Sequence, residues 1–359
     1  MRKSTFALTI MFIGLLIVPP IQATSSWRTQ ESDLLLRSVR EQRLKDIHDP
    51  LPLKTPAGLY HTYDELTVIL QNLAMNHSDI MSLSSIGKTY EGRDLWMVKL
   101  SDNVNQEEVE PGVLFMGAHH GNEKPSYEVC LFFIQYMVEQ YENNSLPEIR
   151  STINSTQIYV IPMVNPDGVE AGTRKNLEPN RGSFGYKTEI TSVGVDLNRN
   201  YGYRWLRFFL LAPLYIGSTS VFDNNDAYRG QRPFSENETQ AIRQFMDTHK
   251  ITISISYHTY GELILFPWGY TILPAKDKPV FVSIGENISN INDYHYDQSV
   301  NLYPTIGDAS DWMYGTYGVL AYTIELGKSF APSDPNVIQE MCVLHTKVNL
   351  YVCQRVQSL

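Results

Sequence analysis

Residues 113–142 read VLFMGAHHGNEKPSYEVCLFFIQYMVEQYE, and the order of textures in this stretch decides the fold. VLFMGA is a short apolar run of strand length, HHGNE is a polar turn, and residues 125–142 carry apolar residues densely enough for a buried helix. Similar apolar, β-rich runs recur at 95–100 (LWMVKL), 157–164 (QIYVIPMV), 251–257 (ITISISY) and 319–326 (VLAYTIEL). A helical pattern at 62–77 precedes them, and others lie between several of them, including 125–142 and 235–249. Strands alternating with helices predict an α/β domain over residues 57–359, a single mixed sheet with helices on both faces.

Composition agrees. The chain has 359 residues, 43% hydrophobic and 19% charged, which excludes disorder, collagen and coiled coil. Its formal net charge is −10, and −12 without a leader that carries Arg2 and Lys3, so the surface repels phosphate backbones and nucleic acid is not an expected partner. Three cysteines cannot staple a domain this size. Cys342 and Cys353 fall eleven residues apart on one closing helix, roughly 16 Å by helical rise and beyond disulfide reach, and Cys130 sits in the apolar run VCLFFIQYMV as a buried thiol.

The first 23 residues have a basic start, an apolar run from Phe6 to Val18 and a small residue at Ala23, the pattern of a secretory signal. Export follows if it is cleaved, and membrane contact if it remains as an anchor. Residues 24–56 hold a charged amphipathic stretch ending in Pro50 and Pro52, a linker or short pro-segment. Five Asn-X-Ser/Thr sequons begin at Asn76, Asn143, Asn154, Asn237 and Asn287 and add little by themselves.

The chemistry collects at strand ends, where open α/β sheets place their ligand crevices. Either His120 or His119 can point at a cation together with Glu123. His258 ends a second apolar strand, and two histidines with one carboxylate make a zinc set with a free coordination position. A third strand ends at Glu325 between Ile324 and Leu326, a candidate general base. Asn198 and Arg199 offer an amide and a guanidinium suited to a carboxylate. A serine hydrolase is excluded by the lack of Gly-X-Ser-X-Gly, and the Ser-X-X-Lys at 85–88 falls in a β-hairpin without partner motifs.

Together these segments resemble the zinc metallocarboxypeptidase family, the group of the pancreatic carboxypeptidases and bacterial carboxypeptidase T. The resemblance covers about 300 residues through ordered motifs at 85–96 (SIGKTYEGRDLW), 120–123 (HGNE), 161–168 (IPMVNPDG), 173–180 (TRKNLEPN), 194–205 (GVDLNRNYGYRW), 228–238 (YRGQRPFSENE), 257–270 (YHTYGELILFPWGY), 302–315 (LYPTIGDASDWMYG) and 322–327 (YTIELG). It implies one Zn2+ per chain on His120, Glu123 and His258, with His119 a neighbour. It implies Glu325 as base, Arg174 as oxyanion stabiliser, Asn198 and Arg199 on the substrate's terminal carboxylate, and Tyr303 as a mobile cover. Substrates would be peptide or protein C-termini. Ser310, seven residues after that tyrosine, marks the pocket floor, with Asp308, Leu265 and Thr305 on its wall, and this mixture implies a dual preference for hydrophobic and basic C-terminal residues. Asn122 stands where pancreatic enzymes carry arginine, and residues 206–216 (LRFFLLAPLYI) replace a small-residue loop, as packed core or as a lip for substrate or membrane. The segment before Tyr60 is about half the size of a pancreatic inhibitory prodomain. Two other functions share parts of this pattern. A peptidoglycan-stem peptidase or amide deacylase would need a pocket for a D-centre or diamino acid, and an inactive zinc-binding module would lack Glu325.

Overall fold

Among the described residues ten strands form in chain order, and eight of them make one sheet: β1 (Met81–Lys88), β2 (Asp94–Leu100), β3 (Gly112–Met116), β4 (Gln157–Ile161), β7 (Ile251–Thr259), β8 (Leu263–Phe266), β9 (His295–Gln298) and β10 (Leu320–Leu326). The short strands β5 (Pro179–Asn180) and β6 (Ser192–Val193) pair with each other. The computed structural model describes residues 58–142, 146–182, 187–208 and 217–359. The leader at 1–23, the segment at 24–56 and most of the apolar loop, 209–216, lie outside the described residues.

The large sheet runs β1-β2-β4-β3-β7-β10-β8-β9. Its four central strands β4, β3, β7 and β10 are parallel to their neighbours within that group, while β2–β4 and β10–β8 are antiparallel, so the sheet is mixed. β1 and β2 form an antiparallel hairpin that contains the Ser-X-X-Lys match.

Helices lie on both faces because side chains alternate along the strands. Leu114 and Met116 of β3 and Tyr159 and Ile161 of β4 share a core with Phe245 and Met246 of one helix and Trp312 and Met313 of another. These helices span Asn237–Thr248 and Ala309–Tyr317. Phe115, between Leu114 and Met116, turns to the other face and meets Phe133 of the Pro125–Glu142 helix edge to face at 5.2 Å. Burying each such side chain contributes about 1.5–3 kcal/mol. Cys342 and Cys353 both lie on the closing helix Pro335–Arg355, and all three cysteines are buried free thiols. The Tyr63–Asn76 helix opens on a reciprocal cap, in which Thr62 Oγ1 accepts from the Glu65 amide while the Glu65 carboxylate accepts from the Thr62 amide.

Candidate active site

The parallel centre of the sheet sends β3, β7 and β10 to the same side, and the polar residues predicted at their ends meet there. After β3 the chain turns tightly through His120 to Glu123, with the Glu123 amide donating to the His120 carbonyl. Gly121 is needed in this turn, because a Cβ there would lie 2.0 Å from the carbonyl carbon of Gly168. His258 and Glu325 are register partners across β7 and β10.

His120, Glu123 and His258 converge. His120 Nδ1 lies 2.7 Å from Glu123 Oε1, His258 Nδ1 lies 3.0 Å from Glu123 Oε2, and the two Nδ1 atoms are 3.2 Å apart. All three residues are buried. The outer nitrogens are engaged elsewhere. His120 Nε2 meets Asp196 Oδ1 at 3.0 Å, and His258 Nε2 meets Ser256 Oγ at 3.0 Å. This leaves both Nδ1 atoms and the carboxylate facing inward as one donor set that could hold a metal ion, and three lone-pair donors this close suit a cation between them. Burial works against charge on Glu123, yet the facing imidazoles outweigh it and hold its carboxyl well below the usual range. Asp196 is likewise held far down despite its burial, chiefly by Arg174, whose Nε and Nη2 donate to Asp196 Oδ2 at 3.0 and 2.8 Å.

A pocket opens beside this cluster, and Asn198, Arg199, Leu265, Tyr303, Thr305, Asp308 and Glu325 all line it. Burial raises the Glu325 carboxyl to about 7, with His258 opposing the rise and Glu123 adding to it. Arg199 is buried and anchored through Nε on the Ser218 carbonyl at 2.5 Å and Nη1 on the Asn198 carbonyl at 2.7 Å. Gly307, at φ +89°, lets the chain pass the Arg199 carbonyl, which a Cβ would approach to 2.1 Å. Asn198 Oδ1 accepts from the Ala309 amide at 2.9 Å and so ties this arginine to the start of the Ala309–Tyr317 helix. Tyr303 is 42% exposed and stands between the pocket and a wider hollow of about 670 Å³ that Arg174 also lines.

Ser310 is buried outside the pocket lining, with its Oγ 2.9 Å from Oγ1 of Thr323, which does line the pocket. Asp308 faces the pocket while capping the helix, one oxygen accepting from the Asp311 amide at 2.9 Å and the other from Thr305 Oγ1 at 3.1 Å.

Zinc carboxypeptidases, the peptidase M14 family, match this chain over residues 66–343. The chain belongs to the zinc carboxypeptidase family. It is 35% identical over 295 residues to a zinc carboxypeptidase of Saccharothrix mutabilis subsp. capreolus, covering 77% of this chain and 64% of that relative, and so spans less than two thirds of the relative's length. Carboxypeptidase B of Astacus astacus is 29% identical over 285 residues, 74% of this chain and 86% of that one. In fold the chain is similar to carboxypeptidase A of Helicoverpa armigera, with a TM-score of 0.70 at 23% identity over 91% of this chain and 81% of that one.

Within this zinc carboxypeptidase fold, His119 is no alternative to His120. Its ring is fully buried, Nδ1 lies 3.0 Å from Ser256 Oγ and Nε2 lies 2.9 Å from the Tyr201 hydroxyl, so both nitrogens are taken outside the cluster. Sequence reasoning passed over Asp196 and Ser256. The signal for Asp196 is an acidic residue inside an apolar run, Val195-Asp196-Leu197, which asks for a buried cationic partner. Of the apolar loop, Leu206 is 73% exposed while Phe208 is buried against Ile306.

Proposed function

We propose that the chain is a zinc-dependent carboxypeptidase, with one zinc per chain, that hydrolyses the C-terminal peptide bond of peptides and proteins. The observation that carries this reading is the register of β7 and β10, which sets Glu325 beside His258 on the wall of a pocket that also holds Arg199. His120, Glu123 and His258 would hold the zinc, which when bound would supply a Lewis acid for the attacking water and the scissile carbonyl. Glu325 takes a proton from the attacking water and returns it to the leaving amine. Arg174, oriented by Asp196, faces the charge that develops on the carbonyl oxygen, a contribution of roughly 3 kcal/mol at comparable sites. Asn198 and Arg199 receive the terminal carboxylate, and Tyr303 covers it. An internal peptide bond would leave the buried Arg199 charge without a carboxylate partner, which makes the enzyme an exopeptidase. The leader at 1–23 supports export. No helix among the described residues is long and apolar enough to cross a membrane.

The direct test is release of C-terminal amino acids from a mixed peptide panel, with and without chelator. Amidating the C-terminus of a good substrate should cost the wild type heavily and Arg199→Ala little, because the two groups act as a pair. Equal penalties in both proteins would place the carboxylate elsewhere.

Specificity follows from Asp308 beside Leu265 and Thr305. The carboxylate pairs with a long cationic side chain, directly or through water, while the apolar wall stays open to Leu or Phe, and acidic C-termini are rejected. Asn also caps helices well, so Asp308→Asn removes charge without removing the cap. It should lower kcat/KM for C-terminal Arg and Lys about tenfold, equivalent to about 1.4 kcal/mol, and spare Leu and Phe. An unchanged Arg-to-Leu ratio, or efficient release of Glu, would defeat the assignment.

A further inference from the structure

Arg174 Nε and Nη2 donate to Asp196 Oδ2 at 3.0 and 2.8 Å, and the Arg174 carbonyl accepts from the Gly121 amide at 3.4 Å and from Asn165 Nδ2 at 3.3 Å. The two bonds to the carbonyl are long, so the main chain of Arg174 needs a firmer hold. Two residues on, buried Asn176 is gripped on three sides. Its main-chain N–H donates to the Val195 carbonyl at 3.1 Å, and its Oδ1 accepts from the Val195 amide at 2.8 Å. Its Nδ2 donates to Glu236 Oε2 at 2.8 Å and to Glu238 Oε2 at 3.2 Å. One residue thus clasps Val195 with both main chain and side chain, and Val195 precedes Asp196.

The direction of the Asn176 amide is set from both ends. The Val195 N–H can only donate, so the amide oxygen must face it and the NH2 must point away, towards the two carboxyls. Glu236 caps the Asn237–Thr248 helix and Glu238 lies in its first turn, and both are buried. Glu236 Oε1 accepts from Ser235 Oγ at 2.5 Å, which holds the first carboxyl in place. Glu238 Oε1 has no hydrogen-bond partner, and burial, with Glu236 adding, raises that carboxyl to about 8. A buried carboxyl with an idle oxygen costs the fold more than it returns. The clasp is also tight. At Gly194, φ +83°, a Cβ would lie 2.1 Å from the Asn176 carbonyl oxygen.

We infer that Asn176, held from behind by Glu236 and Glu238, is a positioning residue that locks residues 174–176 against 194–196 and so fixes Arg174 on Asp196, aimed at the reacting carbonyl. A donor stabilises developing charge most when it is in place beforehand, and a guanidinium on a loose bend is not. The inference rests on the reading of Arg174 as the oxyanion stabiliser.

Arg174→Ala should lower kcat about 100- to 1,000-fold, the cost of losing an oxyanion donor. Asn176→Ala should lower it about 10- to 100-fold, the cost of misplacing one by about 1 Å, with KM within about threefold. In the Arg174→Ala background the same substitution should cost less than about threefold further, because the group it positions is gone. Glu238→Leu separates this role from support of the fold. It trades a poorly satisfied buried carboxyl for an apolar side chain, so the melting temperature should stay close to wild type while kcat falls several-fold. Glu238→Gln keeps an oxygen for Asn176 and puts its NH2 where Oε1 lacks a partner, so kcat should stay within about twofold of wild type. One readout needs neither zinc nor turnover. In metal-free wild type the Arg174 Nε–H, donated to a buried carboxylate, should give a slowly exchanging 1H–15N signal, assigned by its loss in Arg174→Ala, and Asn176→Ala should speed its exchange by about tenfold or more. An Asn176→Ala chain that does not fold leaves the Glu238 pair, in both Arg174 backgrounds, to decide. Unchanged Nε–H exchange or kcat in Asn176→Ala, equal kcat losses in the two backgrounds, or Glu238→Gln no better than Glu238→Leu would each overturn the inference and leave Arg174 in the mechanism. Normal kcat in Arg174→Ala would overturn the oxyanion reading itself, and this inference with it.

Discussion

Glu325→Gln is expected to keep one zinc per chain and near-normal substrate affinity while kcat falls by about two to four orders of magnitude, the range that a positioned general base contributes. The substitution is nearly isosteric, and among the described residues the Glu325 carboxylate makes no hydrogen bond that the amide would forfeit. What is lost is the ability to accept a proton, which enters only as the water attacks, so the penalty falls on kcat and not on KM. The pH profile gives an independent check. Burial raises this carboxyl to about 7 in the metal-free protein, and a cation held against His258 and Glu123 lowers it from there. Only the ionised form acts as base, so kcat/KM should rise with pH through the carboxyl's titration, with its midpoint below 7, and Glu325→Gln should abolish that acidic limb. Near-normal kcat in the variant would remove Glu325 from the mechanism.

The strand ends were legible because each couples an apolar run to an abrupt polar residue, as at Ile255 to His258 and Ile324 to Glu325, and a parallel sheet can only bring such ends to one side. Which of His119 and His120 turns inward was not legible. Adjacent residues in a tight turn point apart, and no periodicity says which one faces Glu123 and His258. The family resemblance chose His120, and the geometry explains the choice, since His120 reaches both Glu123 and Asp196 while His119 is taken by Ser256 and Tyr201. Asp196 and Ser256 escaped because they act at one remove. Their partners are 76 and 137 residues distant in the chain, at His120 and His119, and only the folded sheet shortens those separations to hydrogen-bond length. The inward wall of the pocket has the same difficulty. Ser310 sits at the expected offset from Tyr303, yet its hydroxyl meets Thr323 across a helix–strand contact that sequence offset does not encode.

The metal site makes the second large prediction. Wild type should bind one zinc, and His258→Ala should lose it far beyond the 10- to 100-fold typical of an outer-shell change, because a site with three protein ligands cannot spare one. The loss should not be a loss of fold. Glu123 would remain buried in the variant, but Thr259 still donates its amide to Oε2 at 3.1 Å, His120 still meets Oε1 at 2.7 Å, and Arg174 stands 3.6 Å from the same oxygen. The carboxylate therefore loses His258 but keeps its other partners, and the metal-free variant should still fold. Zinc then separates the two. Free zinc at a hundred times its dissociation constant stabilises a binding protein by about 2.7 kcal/mol, so the melting temperature of wild type should climb on titration while that of His258→Ala stays flat. Asp196→Asn should fall between them, since the amide can still accept from His120 but no longer carries the charge that holds Arg174. Full zinc occupancy in His258→Ala, or equal losses in His258→Ala and Asp196→Asn, would mean that the third ligand is not His258.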